Sequence, residues 1–226
     1  MTTLQTLDRG LAALSLIAGN AGISVQALAD ALGVHKAIAY RIVSTLEGHG
    51  MVARATDGRV MLGAGALALS ARFAPHFQAE AARILADLSR ETGCTACIAM
   101  AEGDACVVSQ VHEAETGFMR LSYRVGVRHP LTQGATGLAI LAGRAPAPDE
   151  PALVTQGRRD GYVVTQGQLE PGVTGLARPL LRPAEVRPAM EPCVAVARLG
   201  PLDLPAAISA TARSVTALRA LLIAPV

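Results

Sequence analysis

Residues 24–50 read SVQALADALGVHKAIAYRIVSTLEGHG, and this stretch sets the architecture of the first third of the chain. Ser24 stands where a helix N-cap belongs, with a side-chain oxygen able to accept from an otherwise unpaired backbone N–H. Behind it Val25, Leu28, Ala29 and Leu32 keep the i, i+3, i+4, i+7 spacing of an amphipathic helix, and Gly33 can close that helix in a left-handed conformation. After Val34, the stretch His35 to Gly48 repeats the pattern with Ala39, Ile42, Val43 and Leu46, and Gly48 and Gly50 end it. Two short helices around a glycine-containing turn of three or four residues describe a helix-turn-helix.

Upstream, Leu7, Leu11, Leu14 and Ala18 recur at helical spacing and predict a first helix from Leu7 to Gly19, with these residues as its apolar face. Downstream, Met51–Ala55 and Arg59–Leu62 are β-compatible runs joined by Thr56-Asp57-Gly58, a strong hairpin signal. Three helices and a hairpin make a winged helix-turn-helix over residues 1–62. Residues 63–74 are rich in Ala and Leu, too small in side-chain volume to fill a core alone, and read as a linker helix that Pro75 breaks.

The pattern changes over residues 75–226. A helix carrying Ile84, Leu85 and Leu88 stops at Gly93, and strands are predicted at Cys94–Ala101, Ala105–Val111 and Phe118–Tyr123, the first two turning at Glu102-Gly103-Asp104. The Gly/Thr-rich loop Thr132-Gln133-Gly134-Ala135-Thr136-Gly137 feeds a short helix, Leu138–Ala142. Residues 143–160 read as a polar, proline-rich connection whose acids Asp149 and Glu150 are solvated. Strands at Tyr162–Thr165, Gly175–Leu181 and Cys193–Leu199 precede a final helix that opens at Pro205 and presents Ile208, Ala212, Val215, Leu218 and Leu222 on one face. The fold class is therefore α+β: a winged helix-turn-helix, a linker helix, and an α/β domain with a mostly antiparallel sheet.

At 226 residues the chain is long enough for two domains with cores of their own, and 51% hydrophobic against 17% charged residues excludes a disordered chain. A net charge of +2 is too small to argue nucleic-acid binding from the whole-chain field, but residues 1–74 hold six Lys/Arg against four acids while the remainder is balanced. The longest uncharged run, Gly10 to Ala29, is interrupted by Ser15, Asn20, Ser24, Gln26 and three glycines, which argues against a bilayer span. Together with the absence of a signal-peptide pattern and of disulfide-framework spacing among Cys94, Cys97, Cys106 and Cys193, this predicts a cytoplasmic protein with no membrane partner.

The first chemical candidate is the helix from His35, because a recognition helix enters the major groove with its N-terminal, outward residues while its other face packs on the domain. His35, Lys36, Ala37, Tyr40, Arg41 and Ser44 form the outward set. Ser24 and Gln26 open the preceding helix, and Arg54 and Arg59 flank the hairpin tip. Lys36 and Arg41 can neutralise phosphates, and Arg can grip guanine bidentately. The second candidate is the glycine-rich loop at 132–137, whose backbone N–H groups at a helix N-terminus suit an anion; it matches neither a Walker loop nor GxGxxG. Cys94-x-x-Cys97 is one isolated pair whose members face opposite sides of a strand, so these cysteines read as structural. The five histidines show no metal-ligand spacing, and the serines Ser109, Ser122, Ser209 and Ser214 stand outside any nucleophile elbow. No enzyme and no cofactor is expected.

With these residues in view, the chain resembles the IclR family of transcriptional regulators from about Leu7 to its C-terminus. The matching stretches are Ser24–Gly33, Tyr40–Leu46 with Gly50, and Val60–Gly63. Further on they are Gly126–Ala142, Gly161-Tyr162, Gly172-Val173, Ala177-Arg178-Pro179 and Gly200-Pro201. The resemblance implies a homodimer or dimer of dimers that binds an operator in double-stranded DNA, commonly as a repressor of a catabolic operon, and a GAF-like effector domain that binds an organic acid or aromatic metabolite. By position the effector residues are Thr132, Gln133, Ala135, Thr136, Thr165, Gly175, Ala197 and Leu199. Two departures bear on function. Ala37, Ile38 and Ala39 stand where family recognition helices carry Ser/Thr, and Thr165, Gly175, Ala197 and Leu199 make a less polar pocket than one for small acids.

Overall fold

The computed structural model describes residues 4–71, 75–114, 123–181 and 191–223. The chain divides into two compact units, Met1–Pro75 and His76–Val226. The α+β class expected from the sequence is the observed one.

In the first unit, α1 (Gln5–Ala18), α2 (Val25–Leu32) and α3 (Lys36–Gly48) precede the hairpin β1 (Val52–Arg54) and β2 (Val60–Leu62), and α4 (Ala64–Ala71) follows. Local chemistry sets the turns. The Ser24 hydroxyl accepts from the Ala27 N–H at 3.1 Å, and Gly33 takes φ 62°, ψ 36°, so its N–H and that of Val34 satisfy the last carbonyls of α2. Ile23 and Val60 exchange backbone hydrogen bonds, tying the entry of α2 to the hairpin. Leu28, Ala29, Ala39, Val43, Val52 and Val60 form the core with Ala13 and Ile17. This corrects the expected face of α1. Leu7 and Leu11 are exposed, as is Ala18, because the helix turns Ala13 and Ile17 onto the tightly packed α2–α3 pair.

The second unit is a six-stranded sheet in the order β5-β4-β3-β8-β7-β6, antiparallel at every pairing. Its strands are β3 (Thr95–Glu102), β4 (Ala105–His112), β5 (Arg128–Pro130), β6 (Val163–Gln166), β7 (Val173–Pro179) and β8 (Pro192–Leu199). One face carries α5 (Pro75–Thr92) and α8 (Leu204–Ile223), with Leu85, Leu88, Ile98, Leu176, Val196 and Leu218 between them. The other carries α6 (Gly134–Gly143) and α7 (Ala152–Asp160), with Cys97, Ala99, Leu138, Ala139, Ala177 and Ala195. Alternation along each strand feeds both cores.

The structure departs from the sequence pattern at several places in this unit. α6 starts at Gly134, so four of the six residues of the expected loop are helix. Residues 152–160 form α7 with Gly157 in its interior, where a side chain would collide with Val163. Glu150 is held by Arg158 with its side chain only 12% exposed, not solvated. The short strand β5 has no apolar run to announce it. The most buried line of α8 is Ala207, Ala210, Thr211, Ser214 and Leu218; of the face expected from spacing only Leu218 is fully buried. The predicted strand Phe118–Tyr123 lies outside the described residues except for Tyr123, which is not in a strand.

Candidate nucleic-acid interface and ligand cavity

α3 buries Ala39, Ile42 and Val43 and leaves His35, Lys36, Ala37, Tyr40, Arg41 and Ser44 exposed along the opposite face. Among the described residues Lys36 and Arg41 enter no ion pair, so both cations are uncommitted. Ser24 spends its acceptor on the α2 cap but keeps its O–H, and the Gln26 amide donates to Asp30 Oδ1 at 2.9 Å. The two hairpin arginines are already engaged. Arg54 Nε lies 3.2 Å from Glu47 Oε2, and its guanidinium sits 5.6 Å from the Tyr40 ring centroid. Arg59 Nε lies 3.2 Å from Asp57 Oδ2. Both are surface pairs of small energetic weight, about 0–1 kcal/mol each, which a phosphate can displace.

In the second unit a small cavity of about 30 Å³ lies beside the first turn of α6. The structure brings Ala135, Thr136, Thr165, Gly175 and Ala197 to its wall. It does not bring Thr132, Gln133 or Leu199. Thr132 and Gln133 are exposed ahead of the helix, Gln133 as its N-cap residue, and Leu199 lies at the sheet rim beside Gly172. Sequence reasoning missed Cys97, Val108 and Ala195 on the sheet, Tyr123 and His129 ahead of α6, and the β6–β7 loop residues Gln168, Leu169 and Glu170.

His129 bridges two oxygens: Nδ1 lies 3.0 Å from the Pro130 carbonyl, which can only accept, so Nδ1 donates, and Nε2 lies 3.0 Å from the Thr136 hydroxyl. Burial pushes the Tyr123 phenol up to about 12, keeping it neutral. Among the described lining residues there is no Lys or Arg, and Glu170 stands exposed. Gln168 Oε1 accepts the Gly134 N–H at 2.9 Å, filling the first donor of α6, and Leu169 packs so closely over Gly134 that a Cβ there would lie 2.5 Å from its Cδ1. Gly137 makes the other close approach: a Cβ would lie 2.6 Å from the Leu131 carbonyl oxygen. A volume near 30 Å³ holds about two waters.

The comparisons with known proteins fit this geometry. Residues 6–55 match the model of the IclR helix-turn-helix domain. The first domain thus resembles an IclR helix-turn-helix. Beyond it, nearly the whole chain superposes on solved IclR-type regulators. An IclR transcriptional regulator from Alicyclobacillus acidocaldarius matches with a TM-score of 0.82 at 21% identity, covering 97% of this chain and 99% of that one. An IclR homolog from Microbacterium hydrocarbonoxydans, complexed with 4-hydroxybenzoate, matches with 0.78 at 19% identity, covering 96% and 98%. HmgR of Pseudomonas aeruginosa matches with 0.73 at 21% identity, covering 96% and 98%. At these identities the likeness is one of fold, and that fold is the IclR regulator fold over both units.

Within this IclR fold the cysteines serve packing. Cys94 joins the core under α5 and α8 while Cys97 joins the one under α6, on opposite faces of the sheet. Burial raises the Cys97 thiol to about 12 and Cys106 to about 11, and raises Cys94 and Cys193 as well, which opposes thiolate chemistry at neutral pH. Ser109 donates to the Ile98 carbonyl across the β3–β4 pair, and Ser209 and Ser214 lie on α8, while Ser122 falls outside the described residues. No group of three His, Cys, Asp or Glu able to hold a metal occurs among the described residues. No described helix is long and apolar enough to cross a membrane.

Proposed function

We propose that this protein is a ligand-controlled transcriptional regulator of a catabolic operon, working in the cytoplasm as a homodimer or dimer of dimers. The observation that carries the reading is the exposed face of α3, where Lys36, Arg41 and Ser44 stand beside Tyr40 on a helix whose other side packs into a core that matches the IclR helix-turn-helix. Arg41 reads a base edge or phosphate, Lys36 and Ser44 take phosphates, and Arg54 and Arg59 exchange their carboxylate partners for the backbone beside the hairpin. Exposed Leu4 just ahead of α1, Leu7 and Leu11 on it, and Leu67 and Leu69 on α4 support self-association, which sets two recognition helices on two half-sites.

The cavity beside α6 receives the effector. Its small apolar walls and the polar groups of Tyr123, His129 and Thr165 suit a compact metabolite with hydroxyl or carbonyl oxygens. The Microbacterium relative's complex with 4-hydroxybenzoate puts hydroxylated aromatic acids first in a ligand panel. The test is fluorescence anisotropy with DNA from the protein's own promoter region. Tight, salt-sensitive binding of wild type that Arg41→Ala weakens by about 1–3 kcal/mol per recognised base pair supports the reading. Absence of any footprint, with Arg41→Ala indistinguishable from wild type, leaves instead a ligand-binding or assembly module that does not read DNA.

A further inference from the structure

The space beside α6 is filled in part by the protein's own chain. Sites for small molecules measure about 300 Å³ or more, whereas this cavity is about 30 Å³. Much of its wall is fixed. Thr165, Gly175 and Ala197 lie on β6, β7 and β8, which pair in register, and Ala135 and Thr136 lie in the first turn of α6. Residues 167–172, between β6 and β7, supply a wall that belongs to no helix or strand.

That loop is seated on α6 by one polar and one apolar group in succession. Gln168 Oε1 accepts the Gly134 N–H at 2.9 Å, a donor that has no partner within the helix. Leu169 covers the same glycine, whose φ of 72° and lack of a Cβ make room for it. An acceptor oxygen followed by an apolar body is what a compact metabolite would itself bring to this place. The loop is also made to leave. It is bracketed by Gly167 at φ 67° and Gly172 at φ 77°, and these two glycines are anchored to the sheet, the Gly167 N–H on the Val173 carbonyl and the Gly172 carbonyl on the Gly200 N–H, each at 2.8 Å. Between the anchors Gln168, Glu170 and Pro171 are exposed and Leu169 is half-buried. A segment that buries so little apolar surface opens locally at small cost, while the paired strands beneath it stay closed.

We propose that residues 168–171 are a displaceable plug that competes with the effector for its own site. The effector sets an oxygen on the Gly134 N–H in place of Gln168 Oε1 and an aliphatic or aromatic body in place of the Leu169 side chain, and the loop swings out on Gly167 and Gly172. This rests on the reading of the cavity as the effector site and adds the device that sets its response. The observed affinity is the intrinsic one reduced by the fraction of molecules whose loop is open, so the strength of the Gln168 latch fixes the effector concentration at which the protein switches.

The experiment uses the full-length protein with 4-hydroxybenzoate and neutral 4-hydroxybenzamide as probes, read by calorimetry and by hydrogen exchange. Gln168→Ala removes the latch. Gly167→Ala strains the seated loop at a position where the new methyl meets no atom within 4 Å. Each should tighten both probes by about threefold to tenfold. Gln168→Glu puts a charged acceptor on the same N–H and should weaken both by a similar factor. Bound probe should slow exchange in residues 134–138 and speed it in residues 167–172. Weaker or unchanged binding in Gln168→Ala and Gly167→Ala overturns the plug and leaves the cavity as effector site. Slower exchange in both segments does the same, because the loop then folds over the ligand, as does a Gln168→Glu protein that weakens only the acid, because charge repulsion then accounts for it. No saturable binding at about 10 mM probe in wild type and in all three variants overturns the plug together with the reading of the cavity on which it rests.

Discussion

Replacing Gly137 by Ala tests whether the cavity beside α6 is positioned by backbone contact. The added methyl would sit 2.6 Å from the Leu131 carbonyl oxygen and 2.9 Å from its carbonyl carbon and Cα. Leu131 is 4% exposed and its N–H bonds the Asp104 carbonyl at 3.0 Å, so it cannot slide away without breaking that link. Overpacking of this kind costs about 1–3 kcal/mol, and the better helix propensity of Ala returns about 0.5–1 kcal/mol. The difference, a net loss of up to about 2.5 kcal/mol, lowers the melting temperature of a domain near 150 residues by up to about 10 °C. Differential scanning calorimetry of full-length protein reads this on the sensor-domain transition. Gly10→Ala is the contrast: it sits inside α1 with no atom within 4 Å of the place its new methyl would take, so the same change there should gain about 0.5–1 kcal/mol. A Gly137→Ala protein melting at or above wild type refutes the backbone-contact argument.

Three other outcomes follow from the geometry. Arg54 must leave Glu47 to reach phosphate, so Glu47→Gln, which removes that competitor, should tighten DNA binding by up to about 1 kcal/mol per subunit with the slope of log affinity against log salt little changed; weaker binding would mean that Arg54 does not reach phosphate. The Arg158 and Thr155 hydrogen bonds hold the Glu150 carboxyl at about 2, below its ordinary value of 4.5. Its contribution to stability is therefore complete above about pH 5 and lost as pH falls toward 2, so Glu150→Gln should melt below wild type at pH 7 and converge with it at pH 2, and a constant gap would contradict the linkage. All four cysteines are buried, so iodoacetamide at pH 8 should label none in native protein and four in guanidinium chloride. Rapid labelling of the native state would contradict their packing role.

The parts of the fold legible in the sequence are those specified locally. Ser24, Gly33 and Asp57-Gly58 each carry a hydrogen bond or a backbone conformation that their neighbours demand, and the elements they bound occur where expected. Tertiary override explains the rest. The first turn of α6 contains Gly134, Thr136 and Gly137, poor helix formers individually, and it is helical because the sheet and the Leu131 backbone leave room only for hydrogen at Gly137. On α1 the larger leucines signalled the core, yet the close approach of α2 and α3 selects Ala13 and Ile17. In the cavity, Thr165, Gly175 and Ala197 are adjacent because β6, β7 and β8 pair in register, which the strand pattern implied. His129 and Gln168 reach the same place from segments 39 residues apart, through contacts that no spacing encodes.

The Glu47–Arg54 pair makes recognition helix and hairpin a single unit of inheritance. A graft that transplants only α3 from another regulator, in order to reprogram the operator, removes Glu47 and with it the anchor that sets where Arg54 points. The liberated arginine then seeks any nearby phosphate. Such a chimera gains grip on all DNA and loses contrast between sites, whereas exchanging residues 36–62 as one block carries the helix, its acid and the arginine together.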